Sequence, residues 1–117
     1  MEYCYSEPKK ITKAEFSQII DSGIVVSICD AIIGSVHFID DYDWLVQQYI
    51  LLLNYTDQEI QGAVITSIGH LARLNKKANQ AQLLNILEPL LFNDALTSRV
   101  EDAIDDINTF CILGPTL

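Results

Sequence analysis

Four carboxylates crowd into the block Arg99-Val100-Glu101-Asp102-Ala103-Ile104-Asp105-Asp106-Ile107. Val100, Ala103, Ile104 and Ile107 recur at helical spacing, so an apolar stripe faces inward and the carboxylates point away from it. They fall into two i,i+4 pairs, Glu101 with Asp105 and Asp102 with Asp106. Each like-charge pair destabilises an isolated helix by roughly 0.2–0.5 kcal/mol, and Asp is a poor helix former. Helix stability therefore does not explain the composition, whereas docking of a cationic face would relieve the repulsion. The alternatives are a merely solvated face or neutralisation within the fold by Arg73 and Arg99. General acid–base chemistry would need an enclosure that separates the pKa values, and an open helix face lacks one.

A second candidate is Asp40-Asp41-Tyr42-Asp43-Trp44, where acids interleave with aromatics as on surfaces that capture Lys and Arg by charge and ring face. Tyr42 is expected to be exposed and Trp44 to pack inside. Carboxylates at this point would also cap a helix start and complement its dipole. His70, beside Gly69, is expected to be hydrogen-bonded within the fold, with Gly69 marking a close helix approach. His37 has no companion at metal-ligand spacing, so no metal site is expected and no cofactor is implied. Cys4, Cys29 and Cys111 are widely separated, form no C-x-x-C pair and read as small buried hydrophobes in a reducing cytosol. No nucleophile elbow, phosphate-cradling glycine loop or Cys–His pairing is evident, so no enzymatic activity is expected.

The formal net charge is −9 over 117 residues. Its distribution is uneven: between Lys13 and Arg73 there is no Lys or Arg, while Glu15, Asp21, Asp30, Asp40, Asp41, Asp43, Asp57 and Glu59 lie inside that interval. Such a surface repels phosphate backbones and favours a basic protein partner over nucleic acid. With 50% hydrophobic residues the chain can bury one continuous core, so a single domain over 1–117 is expected. Asp21 and Asp30 interrupt the most apolar run, Ile19 to Val36, which excludes a membrane span. Met1 is followed at once by Glu2, and no secretory leader pattern is seen.

The elements that must position these residues are helices. Thr12-Lys13-Ala14-Glu15 and Thr56-Asp57-Gln58-Glu59 both read as capping boxes, with Ile11 stapled on Phe16 and Tyr55 on Ile60. Asn79 caps a third helix, and Ser22, Asp40 or Asp41, and Asp94 suggest further starts. Six helices follow, running roughly over 12–21, 23–36, 41–53, 57–74, 80–92 and 95–112, with Pro89 kinking or ending the fifth near Glu88. Short connections make neighbours antiparallel and group them into three hairpins. Ile60, Ala63 and Val64 register with Val100, Ala103 and Ile104 at a spacing of forty residues, with Ile28, Ala31 and Ile32 as the first counterpart. The expected fold is all-α: three stacked antiparallel hairpins in a HEAT-like α-solenoid.

Asp57, Ile60, Gly62, Ala63 and the run Ile68-Gly69-His70-Leu71-Ala72-Arg73, followed by Arg99 to Ile107, resemble two sequence blocks of a group of small bacterial HEAT-like proteins. Gln61 stands where HEAT repeats usually carry Arg, so the likeness is to this group rather than to HEAT scaffolds in general. The group is similar to immunity proteins of contact-dependent inhibition (CDI) and related polymorphic toxin systems. The resemblance implies a cytoplasmic protein that binds and neutralises a cognate toxin domain, commonly a nuclease. Glu101, Asp102, Asp105 and Asp106 would then supply charge complementarity, extended by Asp40, Asp41, Tyr42 and Asp43. The alternative is a general HEAT-repeat adaptor or assembly subunit that binds an endogenous protein.

Overall fold

The computed structural model describes residues 8–111, and these are helical with no strand among them. Six α-helices run α1 (Lys13–Ser22), α2 (Val25–Phe38), α3 (Tyr42–Leu52), α4 (Gln58–Leu74), α5 (Gln80–Leu87) and α6 (Thr97–Phe110). A 3-10 segment, Glu88–Phe92, continues from α5. Pro89 sits in its first turn, so the α-helix stops at Leu87 as the missing amide requires.

Local chemistry sets most boundaries. At α1 the Thr12 hydroxyl accepts from the Glu15 amide at 3.1 Å, and the Glu15 carboxylate accepts from the Thr12 amide at 2.9 Å, a complete capping box. Gly23 ends the helix in the left-handed region with φ 73°. Asp41 caps α3 by accepting from the Trp44 amide, and Asn79 caps α5 by accepting from the Gln82 amide. Three expected caps are placed differently. Asp57, not Thr56, starts α4, because its carboxylate reaches the amides of both Glu59 and Ile60. Ser22 belongs to α1, where its hydroxyl donates to the Ile19 carbonyl and accepts from the Ile24 amide. Asn93 rather than Asp94 organises the turn before α6; its side chain accepts from the Ala95 amide and its carbonyl from Leu96 and Thr97.

α4 is the central element, packed between α2 and α6 with α3 against it; α1 packs on α2 and α5 on α6. The three registered triplets turn inward together: Ile28, Ala31 and Ile32, then Ile60, Ala63 and Val64, then Val100 and Ala103 are buried, with Ile104 half-buried. Small residues on α4 let its neighbours approach. A Cβ added at Gly69 would lie 3.2 Å from the Ala103 Cα, and one at Gly62 would lie 2.8 Å from the Arg99 guanidinium. Since Gly62 meets Arg99 and Gly69 meets Ala103, α4 and α6 run in the same direction. Phe16, fully buried, carries the edge of Trp44 at 5.4 Å between ring centroids, which ties α1 to α3.

Buried polar groups are paired. The Ser35 hydroxyl donates its one proton to the Ile32 carbonyl at 2.6 Å, so Tyr49, 2.6 Å away, must donate to Ser35. Ser67 on α4 donates to the same carbonyl. Among the described residues no buried side-chain nitrogen or oxygen lacks a partner.

Candidate partner-binding surface

α6 carries its acids as the periodicity requires. Val100, Ala103 and Ile107 are buried against α4, while Glu101, Asp102 and Asp105 are exposed and Asp106 is half-buried. The Asp106 carboxylate lies over Gly69, with an oxygen 3.2 Å from where a Cβ would stand. Arg73 and Arg99, the cations considered for neutralising this face, are directed elsewhere. Arg73 donates to the His70 Nδ1, and the Arg99 guanidinium rests against Gly62. An ion pair joins Lys13 to Asp41, and among the described residues none of the four α6 carboxylates takes part in one.

The second acidic group is divided by the structure. Asp40 and Asp43 are exposed at the start of α3. Asp41 is committed internally, held by Lys13 at 2.5 Å while it caps the helix, and the lysine and the Trp44 amide together lower its carboxyl below the usual range. Lys13 also sits 5.3 Å from the Trp44 ring centroid. The expectation that Tyr42 is exposed is corrected: it is 6% exposed, donating to the Gln82 side chain at 2.7 Å and accepting from the Asn79 amide at 3.0 Å. Its ring belongs to the α3–α5 junction because its hydroxyl satisfies an amide at the start of α5.

His37 and His70, thirty-three residues apart in sequence, meet at 5.8 Å between ring centroids. Arg73 has only donors, so the Nδ1 it contacts is an acceptor and neutral His70 carries its proton on Nε2. Burial first, then the Arg73 and His37 charges, lower the His70 proton affinity, and Asp106 acts in the opposite sense. Sequence reading gave His37 no companion. Placing Ile28 level with Ile60 sets His37 level with Gly69, beside His70, and that register was the available signal.

The remaining candidates do not assemble a reactive centre. Cys29 is 1% exposed, and burial, followed by the charges of Glu59 and Asp57, pushes its thiol up to about 11. Cys111 is half-buried and free; Cys4 lies outside the described residues. No group of His, Cys, Asp and Glu among the described residues is arranged to hold a metal ion. Open grooves line the described helices. One of about 400 Å³ lies along Lys9–Ile11, α1 and α2, and one of about 450 Å³ lies at the α4–α5 turn beside Phe110. Among the described residues no helix is long and apolar enough to cross a membrane.

No family model matches the chain, and no curated protein matches it. A solved structure does. A chain in the crystal structure of the CDI complex from Cupriavidus taiwanensis LMG 19424 superposes with a TM-score of 0.86 at 27% identity, covering 93% of this chain and 96% of that one. The resemblance carried by the Asp57–Arg73 and Arg99–Ile107 blocks thus extends to nearly the whole helical fold: the chain is similar to a component of a CDI complex.

Proposed function

We propose that this chain is an immunity protein: it binds a cognate toxin domain and neutralises it stoichiometrically, without catalysis of its own. The match to a component of a CDI complex over almost the full length of both chains is the observation that carries this reading. The two-layer packing, with α2, α4 and α6 side by side and an antiparallel helix behind each, supports a HEAT-like solenoid that offers surface rather than a cleft. The partner surface is the α6 face, Glu101, Asp102, Asp105 and Asp106, extended by Asp40 and Asp43. Asp41, partly exposed and paired with Lys13, and the buried Tyr42 position that extension.

The partner is a basic protein domain, and a nuclease fits because a surface built to bind phosphates is cationic where this one is anionic. Opposed potentials accelerate encounter, which a cytoplasmic inhibitor needs if it is to capture toxin before damage. The test isolates the basic domain that the wild-type protein captures from a lysate of its source cell at low salt, and titrates it calorimetrically with wild-type protein and with the Asp102→Lys, Asp106→Lys double variant. Charge reversal should weaken binding by about tenfold or more and leave the fold intact. Unchanged affinity in a folded variant would remove the α6 surface, and no binding by wild type would remove the immunity reading.

A further inference from the structure

The strongest unassigned cluster is where α2, α4 and α6 lie side by side toward their C-terminal ends. His37 comes from α2, His70 and Arg73 from α4, and Asp106 from α6. α5, also packed on α4, carries no ionisable side chain, and the ionisable groups of α3, Tyr42, Asp43 and Tyr49, do not act on the His70 charge. We propose that His70 is a proton-controlled joint between these three helices: neutral, it accepts Arg73 and lies tilted beside His37; protonated, it releases Arg73, repels His37 and turns to Asp106.

The exchange follows from the inventory of donors. Protonated imidazole has two N–H donors and no acceptor, so the Arg73 contact at Nδ1 becomes donor against donor and cation against cation. Asp106 is the carboxylate placed to receive the new donor, since it lies over Gly69, the residue next to His70, and its charge favours the protonated ring. Burial, Arg73 and His37 make protonation harder in the fold than in the unfolded chain. Neutral His70 therefore contributes stability that is complete above about pH 6.5 and is lost as pH falls through that value toward the depressed folded one. The joint itself is a property of the free protein. Its consequence for the partner rests on the proposed function: tying Asp106 to His70 removes one carboxylate from the α6 face, so acidification loosens capture of a cationic partner.

The experiment is an NMR titration of the two imidazoles in the isolated protein, with amide-exchange protection factors measured at pH 7.5 and 5.5. His70 should titrate below the ordinary histidine range, and Arg73→Gln should move its midpoint upward. Protection of 34–38, 70–74 and 106–110 should fall on the order of threefold at the lower pH relative to 28–32 and 45–49, and His70→Gln should abolish that regional change. An ordinary His70 midpoint indifferent to Arg73→Gln would overturn the proposal. So would an equal loss of protection in His70→Gln. Because no partner enters the measurement, its failure is distinct from failure of the immunity reading.

Discussion

Two chemically identical substitutions on α4 should change stability in opposite directions. Gly62→Ala and Gly69→Ala each replace a helix-interior glycine, which gains about 0.8–1.0 kcal/mol from backbone entropy and propensity. What differs is the obstacle. At position 62 the new methyl meets the end of Arg99, an exposed and flexible side chain that can swing into solvent. At position 69 it meets the Ala103 Cα at 3.2 Å and the Ala103 Cβ at 3.4 Å, and Ala103 is 3% exposed in the α4–α6 seam. Only a retreat of α6 makes room, and overpacking of that kind costs about 1–3 kcal/mol.

Gly62→Ala should therefore be neutral to stabilising by up to about 1 kcal/mol, and Gly69→Ala destabilising by up to about 2 kcal/mol. For a chain of this size about 1 kcal/mol moves Tm by about 4 °C, so a thermal melt resolves the two. The Asp106 carboxylate also stands 3.2 Å from the new methyl at Gly69, which offers a control. If backbone approach sets the cost, adding Asp106→Ala to Gly69→Ala recovers little; full recovery would place the limit at the carboxylate instead. Equal losses of Tm for Gly62→Ala and Gly69→Ala would refute the assignment of a rigid neighbour at one glycine and a yielding one at the other.

Two further outcomes follow from the interior. Ser35→Ala and Tyr49→Phe should each cost about 1–3 kcal/mol in urea unfolding, and the double variant less than the sum of the two, because both remove the same buried hydroxyl contact; strict additivity would mean the hydroxyls are not coupled. Alkylation of the native protein at pH 8 should label Cys111 and spare Cys29, whose buried thiol, up at about 11, supplies almost no thiolate. Labelling of Cys29 at the rate of Cys111 would contradict its burial.

The sequence conveyed what is encoded within a few residues. Six helices, the Thr12–Glu15 box, the Asn79 cap and the halt at Pro89 all depend on neighbours in the chain, and each stands where expected. Where two capping residues were adjacent the choice went to geometry that sequence does not express: Asp57 over Thr56, and Asn93 over Asp94. Long-range pairing was the other blind spot. Tyr42 looked like a surface aromatic because it stands among acids, yet its hydroxyl is taken by groups thirty-seven and forty residues away. His37 looked solitary for the same reason. Gly69 was legible as a close approach, but the identity of what approaches, Ala103 with Asp106, was not.

The acidity of α6 and the packing of α6 are one arrangement. Its two like-charge pairs cost the helix roughly 0.2–0.5 kcal/mol each, whereas burying Val100 and Ile107 contributes about 1.5–3 kcal/mol apiece, so the seam carries a face that would be unfavourable alone. Had Gly62 been larger, Arg99 would be displaced from α4 and free to swing toward Asp102, one turn along its own helix and on the same side. Had His70 been a non-acceptor, Arg73 would lose its partner on α4 and become available to Asp106. Gly62 and His70 thus keep both arginines against α4, and the α6 carboxylates, three of them exposed and Asp106 half-buried, have no ion pair among the described residues. On the proposed function that separation stores an electrostatic attraction for a cationic partner, so Gly62 and His70 would be determinants of the proposed α6 surface although neither belongs to it.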